Sequence, residues 1–311
     1  MKSSQVTFSQ ALDGYDLSAE VQRFSPHTLL DYENTFNKFM KFLGTDLPMV
    51  DITKHHIQEF LNSFPHLSPK TIRNYHAGLS SLWTWATTEG LVDEHIVRQV
   101  TPPKAEEIEI VPFSEEDVKL ILYACQRSRS YRRSFDRENI SRSLPNYTRN
   151  KAIILTLLDT GVRANELCHL KIRDLDLRNR QISVKGKGNK TRVVEVCGRT
   201  VQVISQYLRT RPDLVKHTPL FIGNHDIALT RNGLLQLIRR LGERANVQNA
   251  YPHRFRHTFA INFLRNGGNI FALQKLLGHS TLDMVKRYLK LAQQDCAAAH
   301  RIASPVANWD L

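Results

Sequence analysis

The stretch YPHRFRHTFAINFLRNGGNIFALQKLLGHSTLDMVKRYLKL, residues 251–291, carries side chains able to hold and attack a phosphate: His253 with Arg256, then Gly278 and His279, then Tyr288. His253 and Arg256 are three residues apart, so on a helix they share a face and can reach one anion. Pro252 just ahead suits the first helical position, and the free N–H groups of a helix start favour negative charge. His279 follows an apolar helical run (Phe271, Leu273, Leu276, Leu277) that Gly278 is placed to stop. Tyr288 falls on a further amphipathic helix beside Lys286, Arg287 and Lys290, a cationic setting in which a phenol can serve as a nucleophile. Taken singly, each has a plainer reading. A tyrosine at helical spacing commonly packs a core or surface, and an HxxR pair suits a solvated or nucleic-acid-facing helix.

Two upstream segments add groups of the same kind. In KAIILTLLDTGVRANELCHL, Ile153, Ile154, Leu157 and Leu158 mark a buried helix that Gly161 ends, and Arg163 opens the next. Glu166, three residues on, is placed to hold the Arg163 guanidinium, although a surface ion pair has the same spacing. In LDLRNRQISVKGKGNKTRVVEV, strands over Gln181–Lys185 and Thr191–Val196 flank a Gly186-Lys187-Gly188-Asn189 tip. The tip makes Lys187 a flexible ammonium suited to protonating a departing oxygen, and hairpin-tip lysines are also commonplace.

These groups need a scaffold, and composition sets its class. The 311 residues are 41% hydrophobic and 23% charged, which suits a soluble two-domain globular chain. No apolar run is long enough to span a bilayer and the N-terminus lacks a signal-peptide core, so a cytoplasmic, nucleoid-associated protein is expected. The four cysteines form no CxxC pair, which argues against a zinc site or a disulfide framework. A net charge of +13 predicts a polyanionic partner, with nucleic acid as the leading choice.

Residues 1–104 read as a helical domain. One helix runs Thr28 to Phe42 with Leu29, Leu30, Tyr32, Phe36, Phe39, Met40 and Phe42 on its apolar face; Thr53 caps a second; Ser68-Pro69 opens a third. Lys70, Arg73, Asn74 and His76 occupy the third helix's polar face, where Lys70 and Arg73 are candidate phosphate contacts and a solvated face is the default. The proline-containing, acidic segment 105–112 reads as a linker, and Ser114 caps the first helix of a second domain. Residues 126–149 hold seven arginines, Arg129, Arg132 and Arg133 among them, without apolar periodicity, so a basic loop that orders on a phosphate backbone and a solvated insertion both fit. A later helix over Thr230–Ala245 offers Arg231, Arg239, Arg240 and Arg244 to DNA.

In order, TGVRANEL, GKGNKTR, HRFRHTFA, LGHS and Tyr288 resemble the tyrosine recombinases of the phage-integrase and Xer type, over about residues 25–295. The resemblance implies a mainly α protein. A helical-bundle DNA-binding domain (1–104) and linker (105–112) would precede a mostly α catalytic domain (113–295) with a small three-stranded antiparallel β-sheet. The tail 296–311, with Val306, Trp309 and Leu311, would contact a neighbouring protomer or fold back on its own domain. It further implies that Arg163 and Arg256 clamp the scissile phosphate while Tyr288 attacks phosphorus. Lys187 would protonate the leaving 5′ oxygen, His253 and His279 would assist, and Glu166 would support Arg163. Asn165 and Phe255 depart from residues frequent in the family without removing a polar catalytic atom. Two guanidiniums aimed at the phosphate oxygens can neutralise the charge that develops there in the transition state, each contributing roughly 3 kcal/mol or more, so no metal and no other cofactor is expected. The implied partners are double-stranded DNA with an inverted-repeat core site and a tetramer of this chain in the synapse, with room for an accessory DNA-bending or directionality factor. The rival readings are type IB topoisomerase-like relaxation and a non-catalytic DNA-binding protein.

Overall fold

The structure, a computed structural model, describes residues 6–104, 109–126, 131–132, 139–140, 144–186, 190–212, 214–223, 227–279, 281–292, 300–301, 304 and 306. The chain forms two compact units, Met1–Ile108 and Glu109–Leu311. Among the described residues no helix is long and apolar enough to cross a membrane.

The first unit is a helical bundle of α1 (Phe8–Val21), α2 (Pro26–Leu43), α3 (Lys54–Asn62) and α4 (Pro69–Thr88). Each start has its own cap: Thr7, Ser25, Thr53 and Ser68 accept from a backbone N–H one turn inside the helix, and α2 and α4 begin on proline. The core is aromatic, with Phe39 packed edge-on against Phe8 at 5.3 Å and Phe60 at 5.0 Å and with Trp83 fully buried. Helix α1 was not expected from the sequence. Its buried face is only Phe8, Ala11, Tyr15 and Ala19, too sparse to read as an apolar stripe. Leu30 departs from the expected apolar face and is 54% exposed, because the buried stripe of α2 runs through Thr35, Phe36 and Phe39.

The second unit holds α5 (Glu115–Gln126), a two-residue ribbon of β1 (Tyr131–Arg132) with β2 (Asn139–Ile140), α6 (Tyr147–Thr160), α7 (Ala164–His169), and the strands β3 (Leu175–Asp176), β4 (Gln181–Lys185) and β5 (Thr191–Glu195). Then come α8 (Gly198–Leu208), α9 (Arg231–Ala245), α10 (Pro252–Arg265), α11 (Ile270–Leu277) and α12 (Asp283–Ala292). The sheet is antiparallel in the order β3-β4-β5. Ile182 and Val184 face the core from β4, and Lys185–Thr191 is the last described pair of the ladder.

Helix α6 is the centre of this unit, packing against α5, α8 and α10. Gly161 ends it in the left-handed conformation, φ 60°, with a Cβ position only 2.4 Å from the Phe259 ring, so the turn and the close approach both require glycine. The basic stretch 126–149 corrects the expectation in two places. It contains the β1–β2 ribbon, and its last arginine is structural: Arg149 is 9% exposed and donates to Gly223 O at 2.9 Å and to Asn150 Oδ1.

Candidate active site

Arg163 is the N-cap of α7, in extended backbone directly after the Gly161 turn. Its backbone N–H donates to Glu166 Oε2 at 2.8 Å and its guanidinium to Glu166 Oε1 at 2.9 Å, so one carboxylate fixes both ends of the residue. The same carboxylate accepts two hydrogen bonds from Arg192 of β5, at 2.9 and 2.8 Å. Burial would push the Glu166 carboxyl up, but the hydrogen bonds from Arg192 and the Arg163 backbone, with the charge of Arg192, hold it below the usual carboxylate range. Glu166 is therefore an ionised hub between α7 and the strand that follows Lys187. The sequence placed it correctly beside Arg163 and missed Arg192, although Arg192 closes the GKGNKTR motif on the strand leaving the tip.

Three guanidiniums converge on the C-terminal carbonyls of α11. Arg192 Nε donates to Leu276 O at 2.7 Å, Arg256 Nη2 to Leu277 O at 2.8 Å and Arg163 Nη2 to Gly278 O at 3.3 Å. A helix C-terminus carries partial negative charge and free carbonyls, so it gathers cations. Gly278 at φ 62° turns the chain there and lets Arg192 approach. Arg256 is 1% exposed and its Nη1 also donates to Gly161 O at 2.8 Å, joining the α6 turn to the α11 turn. Burial, reinforced by Arg163, lowers its guanidinium to about 10, which keeps it cationic at neutral pH.

His279 is 9% exposed, and its Nε2 lies 2.7 Å from Arg256 Nη2. A guanidinium only donates, so Nε2 accepts and Nδ1 carries the proton. That Nδ1–H and Arg256 Nε–H are both buried without a hydrogen-bond partner. Two unpaired buried donors among three arginines and one carboxylate make a site that calls for an anion with several oxygens. Burial and the charges of Arg256 and Arg163 depress His279 to about 4, so the imidazole is neutral in the free protein.

Tyr288 is 4% exposed on α12, with its ring parallel to His279 at 6.4 Å. Its hydroxyl lies 2.9 Å from Nδ1 of His257, a residue not singled out in the sequence. The signal was present: His257 is one turn beyond His253, and their rings meet edge-on at 4.5 Å. Burial raises the Tyr288 phenol above its ordinary value, and Arg256 and Arg163 offset only part of the rise.

The structure thus brings together Arg163, Glu166, Arg256, His279 and Tyr288. His253 stands exposed on the first turn of α10 and lines a groove of about 720 Å³ with Arg163, Arg231 and Tyr251. Lys187 lies outside the described residues, as do Arg129 and Arg133; Arg132 is in β1, and Trp309 and Leu311 are likewise outside. Lys70 and Arg73 are exposed on α4, where Arg73 also donates to Pro103 O, and Arg239 is exposed on α9. Two neighbours of these candidates do other work. His76 is half-buried with Nε2 at 2.8 Å from Val100 O, and Arg244 donates to Ala124 O at 2.8 Å, tying α9 to α5. Among the described residues no cluster of His, Cys, Asp and Glu could hold a metal ion.

Comparison with known proteins places the chain in a family. Residues 104–295 match the model of the phage integrase family, and residues 12–90 match that of the phage integrase N-terminal SAM-like domain. Tyrosine recombinase XerC of Staphylococcus haemolyticus is 28% identical over 317 residues, covering 99% of each chain. Tyrosine recombinase XerA of Thermococcus kodakarensis is 30% identical over 306 residues, covering 95% of each. The fold is similar to that of the Tn1549 transposon integrase in complex with a circular intermediate DNA, with TM-score 0.73 and 20% identity over 96% of this chain and 100% of that one. It is also similar to a lambda integrase dimer bound to a core site, with TM-score 0.70 and 17% identity over 89% and 97%. Matched over both units and bearing the arginines, histidine and tyrosine in one site, the chain belongs to the phage integrase family of tyrosine recombinases.

Proposed function

We propose that this protein is a site-specific DNA recombinase that cleaves and rejoins DNA through a 3′-phosphotyrosyl intermediate on Tyr288. The observation that carries this reading is the placement of a buried tyrosine against an ionised Arg–Glu–Arg hub and a buried Arg256–His279 pair with two unsatisfied donors. Arg163 and Arg256 would exchange their carbonyl partners on α11 for the non-bridging oxygens of the scissile phosphate. Their charge would then offset the negative charge that develops as Tyr288 Oη bonds to phosphorus. Lys187 would protonate the departing 5′ oxygen, and His253 and His279 would assist proton transfer and hold the phosphate. The phosphotyrosyl ester retains the energy of the broken bond, so a 5′-hydroxyl from another strand can religate without ATP.

In this reading residues 1–104 grip DNA through Lys70 and Arg73, residues 105–112 cross the duplex, and residues 113–295 carry the chemistry with Arg129, Arg132, Arg133, Arg231 and Arg239 on the phosphate backbone. The protein acts in the cytoplasm at the nucleoid as a tetramer on paired sites, with residues 296–311 reaching a neighbouring protomer. A supercoiled plasmid bearing two copies of the DNA flanking the gene tests the reading. Defined deletion or inversion products are expected, and relaxation without a defined product would favour a topoisomerase.

A further inference from the structure

We infer that His257 is the proton acceptor for Tyr288, taking the phenol proton on Nδ1 as the nucleophile attacks; this rests on the recombinase reading above. The surroundings of the phenol leave few alternatives. Arg163 and Arg256 have no lone pair to offer. The acceptor nitrogen of His279 already receives Arg256 Nη2, and its other nitrogen carries the proton, so the ring has no lone pair left for the phenol. His253 stands beyond His257, exposed, at the mouth of the site. His257 alone among these has a ring nitrogen at 2.9 Å from Tyr288 Oη. Its position is set by α10: it follows Arg256 directly, so the phosphate clamp and the acceptor are fixed by one rigid helix while the nucleophile arrives on α12.

The same arrangement makes the acceptor respond to substrate. In the free protein, burial with His253 and Arg256 nearby depresses His257 to about 4, which leaves it neutral but a weak base. A phosphodiester between Arg163 and Arg256 brings the opposite charge, and the dianionic transition state brings more. The field that weakens the imidazole is cancelled when there is a bond to break. In cleavage, the Oη–P bond forms as the Oη–H proton passes to Nδ1, and the P–O5′ bond breaks as that oxygen takes a proton from Lys187. Religation reverses both transfers, with the imidazolium returning its proton to the tyrosine oxygen.

The test is single-turnover cleavage by the full-length chain, using a nicked duplex from the DNA flanking the gene with either oxygen or sulfur at the bridging 5′ position. Sulfur leaves without protonation, so it isolates the nucleophile's half of the reaction. His257→Asn, which keeps a hydrogen-bonding group near Nδ1 without its basicity, and His257→Ala are both expected to bind DNA as the wild type does. Both should cleave either duplex roughly 100-fold or more slowly, with a rate that climbs with pH. Wild-type rates with Asn, or a defect that disappears on the sulfur duplex, would overturn the assignment. Should the variants misfold, or the wild type cleave neither duplex, nitrogen NMR of the wild-type histidines still decides. A proton on Nε2 of His257 is expected, and a proton on Nδ1 would make it a donor to the phenol and overturn the proposal. Absence of any wild-type adduct, by contrast, counts against the recombinase reading itself.

Discussion

At the scale of single residues, the site is an exercise in holding cations close together. Arg163, Arg192 and Arg256 outnumber Glu166, and the repulsion is offset by helix-end carbonyls. Removing the carboxylate should therefore matter twice. Glu166→Ala leaves the Arg192 side chain, 13% exposed, without its buried counter-ion and should cost about 3 kcal/mol of stability in a denaturant titration. Cleavage should fall as well, because Arg163 loses its anchor. Arg256→Lys keeps a charge but not the fork that meets Gly161 O, Leu277 O and His279, so cleavage should drop about 100-fold or more in a single-turnover assay while DNA binding changes little. The histidines set a pH dependence of definite sign. His257 and His279 are depressed to about 4, below their unfolded value of 6.5, so the unfolded chain binds more protons between these limits. Their contribution to stability is complete above about pH 6.5 and is lost as pH falls towards about 4. A thermal melt series across that window should show Tm falling with acidification, and removing both imidazoles should flatten the fall.

At the scale of elements, two glycine turns anchor the arginines that the helices carry. Gly161 and Gly278 are both left-handed C-caps, and each presents a carbonyl or a following side chain to an arginine. Gly161→Ala would put a methyl 2.4 Å from the Phe259 ring at φ 60°, so a loss of more than about 1 kcal/mol is expected, together with slower cleavage because Arg256 is held by the same turn. Ser68→Ala, at the N-cap of α4 in the other unit, should cost about 1 kcal/mol and leave cleavage chemistry intact. These turns were legible in the sequence because glycine after an apolar helix has a local meaning. The Ser68 and Thr53 caps were legible because a hydroxyl before an apolar helical run also has a local meaning, as were the β4 and β5 strands, whose alternation is period two. What was not legible depends on contacts far apart in the chain. Arg192 meets Glu166 across 26 positions and His257 meets Tyr288 across 31, so the local hints, the end of a motif and a histidine one turn beyond His253, do not reveal the partner either residue takes. Arg149 looked like part of a basic loop, yet it is buried on carbonyls 73 and 74 positions away.

At the scale of the whole molecule, charge and assembly carry the expectations. A chain of net charge +13 that neutralises several phosphates should lose affinity for duplex DNA steeply as salt is raised, and Arg231→Ala should reduce that slope by about one without changing which sequence is bound. Deleting residues 301–311 should weaken synapsis of two sites, read by gel mobility of the paired complex, while single-site binding is retained; if neither changes, the tail does not join protomers. The central claim, that Tyr288 is the nucleophile of a strand-exchange reaction, is tested most directly by trapping it. A nicked duplex from the DNA flanking the gene, which loses its cleaved fragment and cannot religate, is incubated with wild type and with Tyr288→Phe. A denaturation-resistant protein–DNA adduct with wild type alone is the predicted result. An adduct that persists in Tyr288→Phe, or tight binding without an adduct in either protein, would contradict it.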